Sequence, residues 1–530
     1  MMEKIDIIAP VRLLVTTRIA NMVAGLFLIP VLIHYLGGEG FAAWAILLAT
    51  SAVFFLLSMG MPPTLVKYMA VPIREQDWAR CDHIFKHVVV VILVAFGAFS
   101  PVVILLADAA AQTLRLPAGQ ILSAGEMIVF VYVAVVVTAI LQTGTDRLYA
   151  ARNFRAVASF SFFQPLVSNC AAAVAAALTR SLEVVVICFW CAQISVVLVS
   201  FHKANRMRGK SVAFRFELSM VRELFSHGIK TQTSAWAQVI NFQFDKFIIA
   251  SLVGLWAVAP YEVANRGVQA LRSIPSSGVD SFLPAAAISH AEGMEATWQS
   301  YQKMLRLAAY AVIVFMIAPL TVAPLFLYAW TGEMGYLGRW AFVALMLGAA
   351  SNVLAVPAIA MVQVAGRAGI QARAAFVSIL INVPLSLVLV LKWGLLGGAL
   401  ASALAMVTNS ILMIVDMHRY FRKPVLQTLK LLSNFWPLLL VCFGCAVAAY
   451  VPFEWWFATQ DPTNRFSRGL RLYPALSAGL MYGFCIALLL AVQLLGRSFD
   501  KDELDMLRSV LRVKWLTALL ERRKQDGGLG

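Results

Sequence analysis

A chain of 530 residues that is 61% hydrophobic and only 13% charged carries more apolar surface than a soluble fold can bury. This composition excludes a water-soluble protein and fits a polytopic membrane protein. The formal net charge of +16 would suit a nucleic-acid binder, but Lys and Arg concentrate in alternate loops, the pattern of membrane orientation, so nucleic acid is set aside as a partner. In chain order, membrane-length segments are expected at 11–34, 41–68, 84–108, 122–146, 155–178, 182–202, 222–250, 256–285, 304–330, 338–364, 368–391, 395–418, 430–451 and 473–496. That is about fourteen, each near the ~20 residues a helical crossing needs. The first segment carries Arg18 and has no small-residue cleavage site, so it reads as a span rather than a signal peptide.

Orientation follows from the loops. One set holds Arg74, Arg80 and Lys86, then Arg147, Arg152 and Arg155, then Lys203, Arg206, Arg208, Lys210 and Arg215, with further basic residues up to Lys423. The opposite set holds little beyond Arg115, Arg180, Arg339, Lys392 and the cluster Arg465, Arg468 and Arg471. The rich side is expected to be cytoplasmic, and an even number of spans places both termini there.

The halves echo each other. Gly254 stands 217 residues after Gly37, each just past the end of a span, and Ala151-Arg152-Asn153-Phe154 is echoed by Gly366-Arg367-Ala368-Gly369 at an offset of 215. A duplicated six-helix unit is expected, and an even number of spans per unit makes the copies parallel, with the substrate site between them. The chain then divides into an N-terminal lobe (1–203), a basic cytoplasmic linker (204–221), a second six-helix lobe (222–420), two additional spans (421–496) and a cytoplasmic tail (497–530). Residues 500–524 of the tail read as an amphipathic helix that either lies on anionic headgroups or packs on the bundle.

Charges at membrane depth are costly and usually face a cavity or a partner. Ser234, Gln238, Asn241 and Asp245 recur along one face of the seventh span, as a wet cavity wall or a helix–helix hydrogen-bond seam. Asp245 is the candidate ion-coupling residue; the alternative for Asp245-Lys246 is a pair near the span's end with Lys246 reaching the interface. In the eighth span Glu262, Arg266, Gln269 and Ser273 share a face with Arg272 at its edge. Two guanidinium groups suit phosphate oxygens, although Glu262 and Arg266 at i,i+4 also suit simple neutralisation. Arg18 and Asn21 share a face of the first span, with snorkelling of Arg18 as the alternative. Pro62-Pro63 and Pro275 with Pro284 are expected to bend the second and eighth spans.

No sign of an enzyme or of a cofactor appears. The chain lacks a phosphate-cradling P-loop, and its histidines are scattered, with His83 and His87 read as surface residues. The pairs Cys188/Cys191 and Cys442/Cys445 fall inside apolar helices and read as packing residues, with no metal-ligand spacing.

Gly37-Gly38-Glu39-Gly40-Phe41, Asp245-Lys246-Phe247-Ile248-Ile249 with Gly254, Ala257 and Tyr261, and then Pro275 and Pro284, give the chain a resemblance to a known group. It resembles the polysaccharide-transport branch of the multidrug/oligosaccharidyl-lipid/polysaccharide exporter superfamily, the repeat-unit flippases. The resemblance implies an all-α membrane protein of two six-helix lobes plus two helices around a central cationic cavity, in the bacterial inner membrane. It implies a polyprenyl-diphosphate-linked oligosaccharide as substrate, for exopolysaccharide or O-antigen synthesis, moved among membrane lipids by alternating access. Arg18, Arg266 and Arg272 would hold the diphosphate, and Asn21, Gln238, Asn241 and Gln269 would complete the substrate site. Polysaccharide polymerase and glycosyltransferases are further expected partners. A cation-coupled drug or small-solute antiporter and a lipid II or teichoic-acid precursor flippase are the alternatives, the former disfavoured because the first span holds Arg18 and Asn21 where that branch suggests an aspartate.

Overall fold

In hydrocarbon every backbone polar group must be satisfied internally, so a chain of this composition crosses as helices. The computed structural model describes residues 8–207, 215–280, 283–460 and 471–495, and these contain helices and no strand. The first half runs α1 (Ile8–Phe55), α2 (Met61–Arg74), α3 (Trp78–Thr113), α4 (Ala124–Ala150), α5 (Phe154–Thr179) and α6 (Leu182–Arg206). The second runs α7 (Leu218–Leu252), α8 (Leu255–Asp280), α9 (Leu283–Glu292), α10 (Met294–Val312), α11 (Ala323–Thr331), α12 (Glu333–Leu354), α13 (Val356–Val364) and α14 (Ala368–Phe421). A short α15 (Leu426–Ser433) precedes α16 (Trp436–Thr459) and α17 (Leu472–Leu495).

Ten helical stretches among the described residues are long and apolar enough to cross a membrane. Two of them, Ala20–Ser58 and Gly369–Phe421, are too long for one crossing of a ~30 Å core and are divided at Gly37 and Gly394. Helices α7 and α8 are long enough but too polar to count among the ten. The arrangement is therefore consistent with the expected fourteen crossings.

The duplication is written in the backbone. Among the residues with positive φ at helix junctions, five pairs match between the halves: Gly37 with Gly254, Gln76 with Gly293, Arg115 with Gly332, Arg152 with Gly366, and Arg180 with Gly394. The first three pairs are 217 residues apart and the last two 214. This corrects the sequence match around Arg152 by one residue. Identical arginines aligned Arg152 with Arg367, whereas the conformation aligns Arg152 (φ 56°) with Gly366 (φ 68°), each just before a helix start.

Within the first half α5 packs on α1 and α6, and α4 on α6; in the second, α12 packs on α8 and α14, and α7 on α14. Small residues permit the closest approaches: a methyl group at Gly144 would overlap the Phe201 backbone, and one at Gly348 the Ala403 backbone. The halves meet where α1 packs on α8 and where α2 and α3 pack on α7.

Two expectations change here. Pro62 and Pro63 do not bend a continuous helix; the break lies before them, at Met59 (φ 51°) and Gly60 (φ 67°), and they open α2, where missing N–H groups cost nothing. Pro275 lies within an unbroken α8, and Pro284 stands at the start of α9. His87 is not a surface residue: it is buried, and its Nε2 accepts from the Glu217 N–H at 3.0 Å, tying α3 to the start of α7. Cys442 and Cys445 are buried free thiols. Residues 208–214 of the expected linker, Arg465 and Arg468, and the amphipathic tail lie outside the described residues.

Candidate functional site: a buried charge cluster and a separate arginine

Helix α7 carries Asp245 and Lys246 into the bundle core, where each needs a partner. Asp245 is fully buried. Its Oδ1 accepts from Ser386 Oγ at 2.7 Å, and its Oδ2 accepts from Tyr261 Oη at 2.8 Å and from Ser402 Oγ. Ser386 Oγ also lies 3.0 Å from Asn382 Oδ1, one turn away. Three helices, α7, α8 and both parts of α14, thus converge on one carboxylate.

Beside it, Lys246 Nζ lies 2.6 Å from Glu262 Oε2 and donates to Gln243 Oε1 at 2.7 Å. The other oxygen of Glu262 accepts from Arg266 Nε at 2.7 Å. Lys246 and Glu262 are 1% exposed, but the Arg266 side chain is 46% exposed. Glu262 therefore bridges a buried ammonium and a guanidinium that reaches the surface of the core. With all four groups ionised, Asp245, Lys246, Glu262 and Arg266 carry no net formal charge.

Arg272 differs. It stands six residues beyond Arg266, about 9 Å further along α8 and roughly 120° around it. Its Nη2 donates to Asn352 Oδ1 of α12 at 2.9 Å, and its guanidinium lies 4.8 Å from the centre of the Phe242 ring of α7. Among the described residues no carboxylate pairs with it. Among the described residues of this region, Arg272 is thus a cation held by neutral groups.

The expected site residues divide accordingly. Asp245 lies inside a cage of three hydroxyls, and Lys246 is paired in the core instead of reaching the interface; the phase of α7 did not reveal that α14 covers Asp245. Arg266 pairs with Glu262, the alternative weighed for it, while among the described residues Arg272 has no carboxylate partner. Asn21 Nδ2 donates to Ser161 O at 2.7 Å and so ties α1 to α5. Gln269 is half-buried on α8. Ser273 Oγ reaches Met22 Sδ at 3.3 Å, bringing the expected α8 face against α1 next to Asn21. Arg18, Gln238 and Asn241 have their backbones on α1 and α7, and their side chains lie outside the described residues.

Gln243, Asn352, Ser386 and Ser402 escaped the sequence reading, and Tyr261 entered it only among the residues of the family resemblance. The Lys246–Glu262 pair had a usable signal, opposite charges in consecutive spans with a poor membrane alternative. The serines and Asn352 had none, since apolar helices use such residues for many purposes.

The described residues form a polytopic helical bundle of two parallel halves, the architecture of a membrane protein, with a buried charge cluster where α7, α8 and α14 of the second half converge. The chain belongs to the polysaccharide biosynthesis protein family, whose family model matches residues 9–289, and so to the polysaccharide-transport branch of the multidrug/oligosaccharidyl-lipid/polysaccharide exporter superfamily. No curated protein matches its sequence. Among solved structures it is similar to the lipid II flippase MurJ in an inward closed conformation, with 13% identity over 90% of this chain and 98% of the other, at a TM-score of 0.65. An inward-facing multidrug resistance MATE transporter of the MOP superfamily is 14% identical over 77% of this chain and 94% of the other, at 0.58. A MOP-superfamily transporter from Pyrococcus furiosus is 11% identical over 78% and 95%, at 0.54.

Proposed function

We propose that the chain is a flippase that moves polyprenyl-diphosphate-linked oligosaccharide repeat units across the bacterial inner membrane by alternating access, for exopolysaccharide or O-antigen synthesis. The lobes are taken as 1–203 and 222–420, with the basic ends and both termini in the cytoplasm. The observation that carries the reading is Arg272: a guanidinium between α7, α8 and α12 with a neutral amide and a ring as its partners. Such a group keeps its full charge for an anion and offers donors matched to phosphate oxygens. Arg266, half exposed on a Glu262 anchor, supplies a second set of donors nearby. Arg18 and the polar residues Asn21, Gln238, Asn241 and Gln269 would complete the contacts, and the lipid tail stays in the bilayer. Asp245 is the coupling residue in this reading. Association with a polysaccharide polymerase and glycosyltransferases belongs to the same proposal.

The family match supports a polysaccharide precursor over a drug, and the coverage of 90% by the MurJ fold against 77% by the MATE fold supports a lipid flippase scaffold. The same similarity favours one second reading, a flippase for lipid II or teichoic-acid precursors. The test is translocation of a fluorescent polyprenyl-diphosphate oligosaccharide in reconstituted vesicles. Arg272→Gln is expected to lower the rate at least tenfold and Arg272→Lys less. Wild-type rates in Arg272→Gln would exclude the diphosphate role, and transport of lipid II in preference to repeat units would select the second reading.

A further inference from the structure

The two parts of α14 carry a second concentration of cations, at the end of the bundle bearing the basic loops. Before Gly394, Arg373 shares a helical face with Phe376, Leu380, Leu387 and Leu391, all exposed on the outside of the protein. After Gly394, Arg419 shares a face with Leu404 and Ile411, also exposed. The two parts lie side by side, since Ser378 Oγ donates to Ala405 O at 3.0 Å. Each exposed apolar track therefore ends in an arginine, and the arginines meet. Asp416, which is buried, pairs with Arg373 and lies 3.7 Å from Arg419. Arg367 lies 4.9 Å from the Tyr420 ring centre, at the rim of the same pocket of about 380 Å³.

Three guanidinium groups face one carboxylate, and that carboxylate is spent on fixing two of them. The pocket holds a formal charge of +2 beside lipid. We propose that it binds the phosphate headgroup of an anionic glycerophospholipid, with the acyl chains on the Phe376–Leu391 and Leu404–Ile411 tracks. Basic pockets between helices on the cytoplasmic side of membrane proteins take such headgroups. A soluble phosphate would satisfy the arginines alone, whereas a phospholipid satisfies them and lays its acyl chains along the apolar tracks that lead away from them. The site is also separate from the core cluster: Asp416 lies about 21 Å along α14 from Ser402.

The test is native mass spectrometry of the full-length protein in detergent, titrated with phosphatidylglycerol or phosphatidylcholine. The wild type is expected to retain phosphatidylglycerol several-fold more strongly. Arg367→Gln/Arg373→Gln/Arg419→Gln is expected to abolish that preference, and the corresponding triple Lys variant to keep most of it. Arg419, whose side chain is 75% exposed, makes the lightest structural contacts, so Arg419→Gln alone serves if the triple variant does not fold, with a partial loss expected. Equal retention of both lipids by the wild type, or an unchanged preference in a folded Gln variant, overturns the site. Displacement of phosphatidylglycerol by low-millimolar inorganic phosphate overturns the lipid and leaves a soluble-anion pocket.

Discussion

Lys246 Nζ and Glu262 Oε2 are 2.6 Å apart with both side chains 1% exposed, an ion pair joining α7 to α8 in the core. Removing one partner leaves a buried unpaired charge, which costs about 3–5 kcal/mol, whereas replacing both with apolar residues of similar size is often neutral. Glu262→Gln is therefore expected to lower the melting temperature in detergent sharply. Lys246→Met/Glu262→Leu should recover most of the loss, because Arg266 is half exposed and tolerates its lost partner. A double variant as damaged as the single one would show that the pair is not the source of the effect.

Asp245 receives three hydroxyl donors, from Tyr261, Ser386 and Ser402. An amide in its place sets an NH2 group against donors and is expected to cost about 1–3 kcal/mol. If Asp245 carries the coupling ion, Asp245→Asn transports with the same rate whether or not an ion gradient is imposed. Vesicle assays with and without the gradient decide this; wild-type gradient dependence in a folded Asp245→Asn protein moves the coupling site elsewhere.

Thr64 Oγ1 and His227 Nδ1 are 3.2 Å apart, linking α2 of the first half to α7 of the second. Alternating access requires such cross-half contacts at one end to separate. Thr64→Cys/His227→Cys is expected to form a disulfide that stops translocation, with recovery on reduction. Full transport by the oxidised protein, its crosslink verified by electrophoresis, would show that this end does not open.

Gly144 and Gly348 sit where α4 approaches the backbone of α6 and α12 that of α14 closely. The opposing atoms are backbone and cannot rotate away, so Gly144→Val and Gly348→Val are each expected to cost at least the 1–3 kcal/mol typical of overpacking. Thermal unfolding in detergent measures it, and Gly97→Val, where nothing lies within 4 Å, serves as the neutral control.

Much of the fold was legible because membrane helices obey a length and hydropathy rule that needs no neighbours. Gly37 and Gly254 marked the repeat because a positive φ at a helix junction favours glycine, and this preference survives divergence. Where non-glycine residues adopt the same conformation, as at Arg152 and Arg180, the signal disappeared and the register slipped.

For the site, the sequence by itself placed Glu262, Arg266 and Arg272 within an apolar span, where charge requires compensation, and left Asp245-Lys246 open between the core and the end of its span. It also kept Glu262 with Arg266 as an open alternative, through their i,i+4 spacing. Only the tertiary structure decided who compensates whom. Ser386 and Ser402 approach Asp245 from residues 141 and 157 positions away, and Asn352 approaches Arg272 from 80 positions away. No periodicity on a single helix records which face of another helix will cover it: the i,i+4 spacing already left Arg272 without a partner on its own helix, and the packing supplied the Asn352 amide and the Phe242 ring that hold it.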